Sequence, residues 1–78
     1  MKTNNQWREF FRCQEVGVVP SHWLVVLEEH KDVSMEVVRV NGTAVAWRYH
    51  GSKWTCISEV AIAYVEELVL AAGAVISV

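Results

Sequence analysis

The sequence has few of the features that usually stabilise very small domains. Its 78 residues leave room for a single domain, residues 1–78, whose size limits how much surface it can bury. It has only two cysteines, Cys13 and Cys56, and the polar stretch 1–6 is unlike a signal peptide. A disulfide scaffold is therefore not expected, because the thiols of a cytoplasmic protein more often behave as small buried hydrophobes.

Long apolar runs and an excess of basic charge are also absent. The longest weakly polar stretch, 60–78, is interrupted by Glu66 and Glu67, whereas a membrane-spanning helix needs about 20 apolar residues. The formal net charge of −2 predicts no long-range attraction to nucleic acid, which normally accompanies a strongly basic domain. We therefore expect a cytoplasmic protein that neither enters the membrane nor binds nucleic acid.

The sequence contains no motif for catalysis or for metal binding. His22, His30 and His50 lie in separate predicted elements, and neither cysteine belongs to a CxxC or CxxH pattern. Glycine-rich phosphate loops and GxSxG elbows are missing as well. The sequence predicts a protein that is not an enzyme and that needs no cofactor.

What the sequence does contain is a pattern of helices and strands typical of an α+β fold. Residues 3–15 have helical spacing, with Trp7 and Phe10 on one side. Asn41-Gly42 lies between two apolar runs and is typical of a tight β-hairpin. We predict an N-terminal helix, an antiparallel β-meander of three or four strands, a second helix and a short C-terminal strand. The predicted bounds of these elements are 3–15, 23–29, 35–40, 43–50, 53–57, 59–72 and 74–78. We expect Gly17 to end the first helix, Ser58 to cap the second helix, and Gly73 to end the second helix in a left-handed conformation.

Residues 23–29 form the ambiguous element, because a short apolar run fits either a buried strand or a buried helical turn. We interpret this run as a strand. A helix beginning at Ser21 would place Glu28 and Glu29 near its C-terminus, where the helix dipole disfavours negative charge.

Two-residue turns at Asn41-Gly42 and Gly51-Ser52 would fix the register of the meander. In this register, three pairs of residues face each other across neighbouring strands on the core side of the sheet: Val38 and Val45, Trp47 and Cys56, and Tyr49 and Trp54. The other side is expected to carry a rim of bases around an apolar centre. These bases are Arg39, Arg48, His50 and Lys53. One interpretation is that a helix covers the apolar centre and that the bases are solvated at its edge. The other interpretation is that this side binds a protein partner with an acidic surface.

The second helix and the last strand predict self-association. Apolar side chains spread over about 200° of the 59–72 helix, roughly twice the arc that a surface helix needs. The alternative, a helix sandwiched inside the fold, is hard to arrange in so short a chain. The apolar last strand either pairs with a second copy or forms an internal edge. The residues predicted to join two copies are Val60, Ile62, Val69 and Ile76.

These observations predict a small cytoplasmic protein-interaction domain that forms a homodimer and works by contact rather than catalysis. Its size and style suggest an accessory or inhibitor protein of a bacterial mobile element or phage, although no motif supports that role. The alternative is a small-molecule binder with an aromatic pocket between sheet and helix. The residues that would line this pocket are Trp7, Phe10, Trp47 and Trp54.

Overall fold

The computed structural model confirms the predicted α+β fold. It describes residues 2–57 and 62–78, with side chains from residue 8 onward. The elements are α1 Lys2–Val16, β1 Val25–His30, a 3₁₀ turn Lys31–Val33, β2 Met35–Val40, β3 Thr43–Tyr49, β4 Thr55–Cys56, α2 Ile62–Leu70 and β5 Ala74–Ser77. The five strands form one sheet in the order β4-β3-β2-β1-β5. All neighbours are antiparallel except β1 and β5, which are parallel.

The helix α1 ends at the glycine that the sequence indicates. Gly17 has a φ of 70°, a left-handed conformation that glycine adopts without steric cost. Its N–H donates to the Gln14 carbonyl at 3.3 Å, and the Val18 N–H donates to the Cys13 carbonyl at 3.0 Å. These two bonds satisfy the last carbonyls of the helix and direct the chain back toward the sheet.

The hairpin between β2 and β3 turns at Asn41-Gly42, as predicted. Both residues have positive φ, 51° and 87°, as a type I′ turn requires. Asn41 also ties the turn to the start of β1. Its side-chain oxygen accepts from the Leu24 N–H at 2.9 Å, and its own N–H donates to the Leu24 carbonyl at 2.8 Å.

The predicted register of β2 and β3 is wrong beyond the turn, because β3 contains a β-bulge. Ala44 pairs with Arg39 and Ala46 pairs with Val38, so Val45 is an extra residue that has no partner in β2. Val45 and Ala46 consequently both face the core and are buried. Each later residue of β3 therefore faces the side opposite to the one predicted.

The bulge changes the pairing with β4 as well. Cys56 pairs with Ala46, and Thr55 pairs with Trp47, rather than Trp47 with Cys56 and Tyr49 with Trp54. Trp47 and Tyr49 therefore lie on the side of the sheet away from the core, whereas Arg48 lies on the core side.

The core lies between one face of the sheet and the two helices. Both helices contribute to it, with Phe10 from α1 and three buried residues from α2. Phe10 stacks on Trp23 with ring centroids 5.9 Å apart and meets the Tyr64 ring edge-on at 5.8 Å. Such pairs stabilise a fold by about 0.5–1.5 kcal/mol beyond the area they bury. The buried core residues are Phe10, Trp23, Val25, Leu27, Val38, Val40, Val45, Ala46, Tyr64, Val65 and Leu68.

The connection from α2 to β5 differs in one detail from the sequence prediction. Gly73 was expected to end the helix in a left-handed conformation, but it does not have positive φ. Gly73 instead begins the pairing with β1, because its N–H donates to the Val25 carbonyl at 2.9 Å. A side chain at this position would meet that carbonyl at 4.0 Å. The predicted start of the helix at Ser58 and Glu59 lies outside the described residues.

Candidate interaction surface

The sheet has one face on which no described helix packs, and we call it the open face. Its residues alternate with the core residues along the strands, except at the bulge in β3, where Val45 and Ala46 both face the core. In β1 and β2 the apolar members are Val26, Met35 and Val37, and in β3 they are Ala44, Trp47 and Tyr49. Ile76 adds an apolar side chain from β5, opposite Glu28 of β1. The open face of an antiparallel sheet is usually polar where it meets water, so this apolar composition is unusual.

A carboxylate near the middle of the open face holds two basic side chains. Glu28 accepts from Arg39 Nε at 2.7 Å, and His30 Nε2 lies 3.1 Å from its other oxygen. Burial of the Glu28 carboxylate raises its pKa, but the hydrogen bonds to His30 and Arg39 and their charges lower the pKa by more. The pKa of Glu28 is therefore below its ordinary value, and the carboxylate is ionised at neutral pH. Arg39 is paired as a result.

The four bases predicted to share one face do not do so. Arg39 lies on the open face, whereas Arg48 lies on the core side because of the bulge at Val45. His50 and Lys53 are exposed in the loop between β3 and β4. The prediction of a single basic rim is therefore wrong. The protein partner with an acidic surface remains a prediction, but no single face of the sheet carries the four bases that it was expected to contact.

Arg48 belongs instead to a partly buried ion pair that sequence reasoning missed. Its Nε donates to Glu36 Oε1 at 2.8 Å, and its guanidinium carbon lies 4.5 Å from the centre of the Trp54 ring. Glu36 is only 8% exposed, and a buried carboxylate needs such a partner. The signal available in the sequence was the opposite charge of Glu36 and Arg48 on neighbouring strands.

The edge strand β5 is the second exposed apolar surface. Its inner side pairs with β1, and no described strand pairs with its outer side. Val75 is 60% exposed, Ile76 42% and Val78 63%. Charged residues and proline usually keep a sheet edge from pairing with another chain. The segment 74–78 contains neither.

The other edge of the sheet is different, because β4 is only two residues long. Very short edge strands offer few backbone groups to a second chain. An exposed lysine, Lys53, lies just before it. The unprotected edge of this sheet is therefore β5, and we call its outer side together with Val78 the β5 edge.

The α2 residues predicted to join two copies have different environments. Ile62 is exposed on the outer side of α2, whereas Val69 is partly buried and packs against the core. Val60 lies outside the described residues. Leu70, which helical spacing places on the same side of α2 as Glu66 and Glu67, is the most exposed of the large apolar side chains in the described part of the chain.

Phe10 and Trp47, two of the aromatic residues proposed to line a ligand pocket, lie on opposite sides of the sheet. Phe10 is in the core, Trp47 is on the open face, and the side chain of Trp7 lies outside those described. The cavity beside Phe10 and Trp23 has a volume of about 40 Å³, whereas ligand pockets measure about 300–1,000 Å³. A larger groove of about 360 Å³ lies between the end of α1 and α2 rather than between sheet and helix.

The two cysteines are separate thiols rather than a disulfide. Burial raises the pKa of both, and the nearby Glu9 carboxylate adds to the rise at Cys13 while Arg12 opposes it. Both are therefore protonated at neutral pH and are weak nucleophiles. Within ranges 2–57 and 62–78, no three histidine, cysteine or acidic side chains converge as a metal site would need.

In the same described ranges, no helix has both the length and the apolar character needed to cross a membrane. Comparisons with protein-family models, curated proteins and solved structures give no match to this chain. Its own surfaces are therefore the basis for a functional proposal.

Proposed function

We propose that this chain is a small protein-interaction domain that self-associates by pairing the β5 edges of two copies. The observation that carries this proposal is the β5 edge itself. It combines an apolar, uncharged sequence with the absence of any described strand on its outer side. An edge of this kind is a template for pairing with another strand. Every copy of the chain presents the same edge, so the strand that pairs with β5 is β5 of a second copy.

The small size of the domain supports the same proposal. A chain of 78 residues buries a modest fraction of its surface and has a thin margin of stability. Pairing of two edges adds backbone hydrogen bonds and partly removes Val75, Ile76 and Val78 from water. Burial of a valine or isoleucine side chain contributes about 1.5–3 kcal/mol when it is complete. Association thereby supplies stability that neither a disulfide nor a metal provides in the described part of the chain.

The open face supports a role in contact with other molecules. Edge pairing extends the sheet sideways and leaves this face accessible, with Trp47 and Tyr49 on it. Tryptophan and tyrosine are enriched at protein interfaces, because they bury a large area at a small cost in conformational entropy. The role as an accessory or inhibitor protein, and the cytoplasmic location, remain predictions from the sequence.

Sedimentation velocity at several protein concentrations tests the proposal. We expect the wild-type chain to sediment as a dimer at micromolar concentration and the Ile76→Lys variant to sediment as a monomer. The matched control is Val33→Lys, which places the same charge at an exposed apolar residue in the 3₁₀ turn and should leave the dimer intact. A wild-type chain that remains monomeric at every concentration would contradict the proposal.

A further inference from the structure

We infer that the two copies pair antiparallel about a two-fold axis through Ile76, so that Ile76 of each copy lies opposite Ile76 of the other. This inference rests on the proposed function and specifies the partner and its register. It follows from three properties of β5: the side on which each residue lies, the direction of each backbone N–H, and the residues at the ends of the strand.

The side of each residue and the length of β5 together restrict the axis to two positions. Most homodimers have two-fold symmetry with identical surfaces in contact. When two identical edges pair antiparallel in one continuous sheet, the axis is perpendicular to the sheet, and opposed residues lie on the same face. Val75 shares the core side with Leu27, whereas Ile76 shares the open face with Glu28. Val75 of one copy therefore cannot oppose Ile76 of the other, so the axis must pass through a residue and not between two residues. An axis through Val75 or Ile76, the two central residues of β5, gives the longest overlap of the two strands.

The direction of the backbone groups favours Ile76. The Val78 N–H donates to the Glu29 carbonyl of β1 at 2.9 Å, so it points inward. This bond fits the register in which Ser77 pairs with Glu29. Because N–H directions alternate along a strand, that of Ile76 also points inward and those of Val75 and Ser77 point outward. Gly73 precedes β5, and its N–H does not follow this alternation. An axis through Ile76 opposes Val75 of one copy with Ser77 of the other. This makes two outward-facing pairs, each of which exchanges two hydrogen bonds.

An axis through Val75 gives a poorer pairing. Val75 would then oppose itself and exchange one pair of bonds, and Ser77 would oppose Gly73. The Gly73 N–H already donates to the Val25 carbonyl and cannot also serve a second copy. Glycine furthermore weakens a strand because it has no side chain to pack. The axis through Ile76 avoids Gly73 and packs Ile76 on Ile76 and Ala74 on Val78.

Disulfide trapping of single cysteine variants tests the register. In the inferred dimer the Ile76 pair has no hydrogen bonds between its members, and such pairs have Cα atoms about 4.5 Å apart, within the range of a disulfide. The two copies of Val75 are diagonal neighbours at about 7–8 Å, beyond that range. We expect mild oxidation to convert Ile76→Cys to a covalent dimer with loss of the monomer band, and to leave Val75→Cys monomeric on a denaturing gel.

The native thiols do not confuse this assay. Cleavage after Glu67 releases the peptide 68–78, which contains neither Cys13 nor Cys56. Mass spectrometry of a disulfide between two such peptides identifies the link at position 76. The wild-type chain, oxidised in parallel, shows the background from Cys13 and Cys56.

Sedimentation of the same variants under reducing conditions separates the two claims. If the variants sediment as dimers but Val75→Cys is trapped and Ile76→Cys is not, the register is overturned and the proposed self-association stands. If the wild-type chain and both variants sediment only as monomers, the proposed function fails and the register fails with it.

Discussion

Two leucines of α2 provide a stringent test of how this helix packs. Leu68 has no exposed surface, whereas Leu70 is 81% exposed, although both lie in the last turn of the helix. Replacing a buried leucine with alanine removes apolar contacts and leaves a cavity, at a cost of about 2–5 kcal/mol. Replacing an exposed leucine changes stability by about 0.5 kcal/mol or less.

The cost at Leu68 is large for a domain of this size. Stabilities of about 0.05–0.15 kcal/mol per residue correspond to roughly 4–12 kcal/mol for this chain. A loss of 1 kcal/mol lowers the melting temperature of such a domain by about 4–8 °C. We therefore expect Leu68→Ala to melt at least about 8 °C below the wild type, and Leu70→Ala to melt close to it.

Thermal unfolding followed by circular dichroism measures both variants under the same conditions. The protein concentration must be fixed, because dimer formation makes the melting temperature depend on it. Equal destabilisation by the two substitutions, or a larger effect at Leu70, would refute the packing of α2 in which Leu68 lies in the core and Leu70 does not.

Three further predictions concern single groups. Folding lowers the pKa of Glu28. The ionised carboxylate therefore contributes its full stabilisation above the ordinary pKa of 4.5, and this stabilisation is lost as the pH falls through the pKa of the folded state. The melting temperature should consequently fall less between pH 7 and pH 3 for Glu28→Gln than for the wild type. Gly42 has a φ of 87°, so Gly42→Val should lower the free energy of unfolding, measured with urea, by about 1–2 kcal/mol. The control Ser52→Val should not lower it, because Ser52 does not have positive φ. Burial and the nearby Cys13 raise the pKa of Tyr64 to about 12, so absorbance titration should reveal a tyrosine that ionises near that pH and is absent from Tyr64→Phe.

The elements of this fold could be predicted because their signals are local. Asn41-Gly42 determines the hairpin through the positive φ that both residues adopt. Gly17 ends α1 in the same way. The strand 23–29 was also predicted correctly in kind, although β1 begins at Val25.

The register of the sheet could not be predicted from local signals, because it depends on one extra residue in β3. The sequence Thr43 to Trp47 alternates well enough to fit a regular strand, and only the packing of Val45 and Ala46 side by side in the core reveals the bulge. The cross-strand attraction between Glu36 and Arg48 was the one signal of the true register, since like or unlike charges on facing residues influence pairing.

The candidate site was affected by the same error. The basic face was predicted from an unbroken alternation in β3, and the bulge moved Arg48 to the core side. The apolar character of β5 was visible in the sequence, but its position at an edge of the sheet was not. Position at an edge depends on the long-range parallel pairing of β5 with β1, which no pattern within residues 74–78 encodes.

Amide hydrogen exchange at the β5 edge tests the central claim of self-association most directly. The N–H groups of Val75 and Ser77 point away from β1 and gain hydrogen-bond partners only when a second strand pairs with that edge. We expect both amides to be protected at high protein concentration and to lose protection on dilution, while the N–H of Val78, bonded to Glu29, changes less. Rapid exchange of Val75 and Ser77 at every concentration would contradict the account.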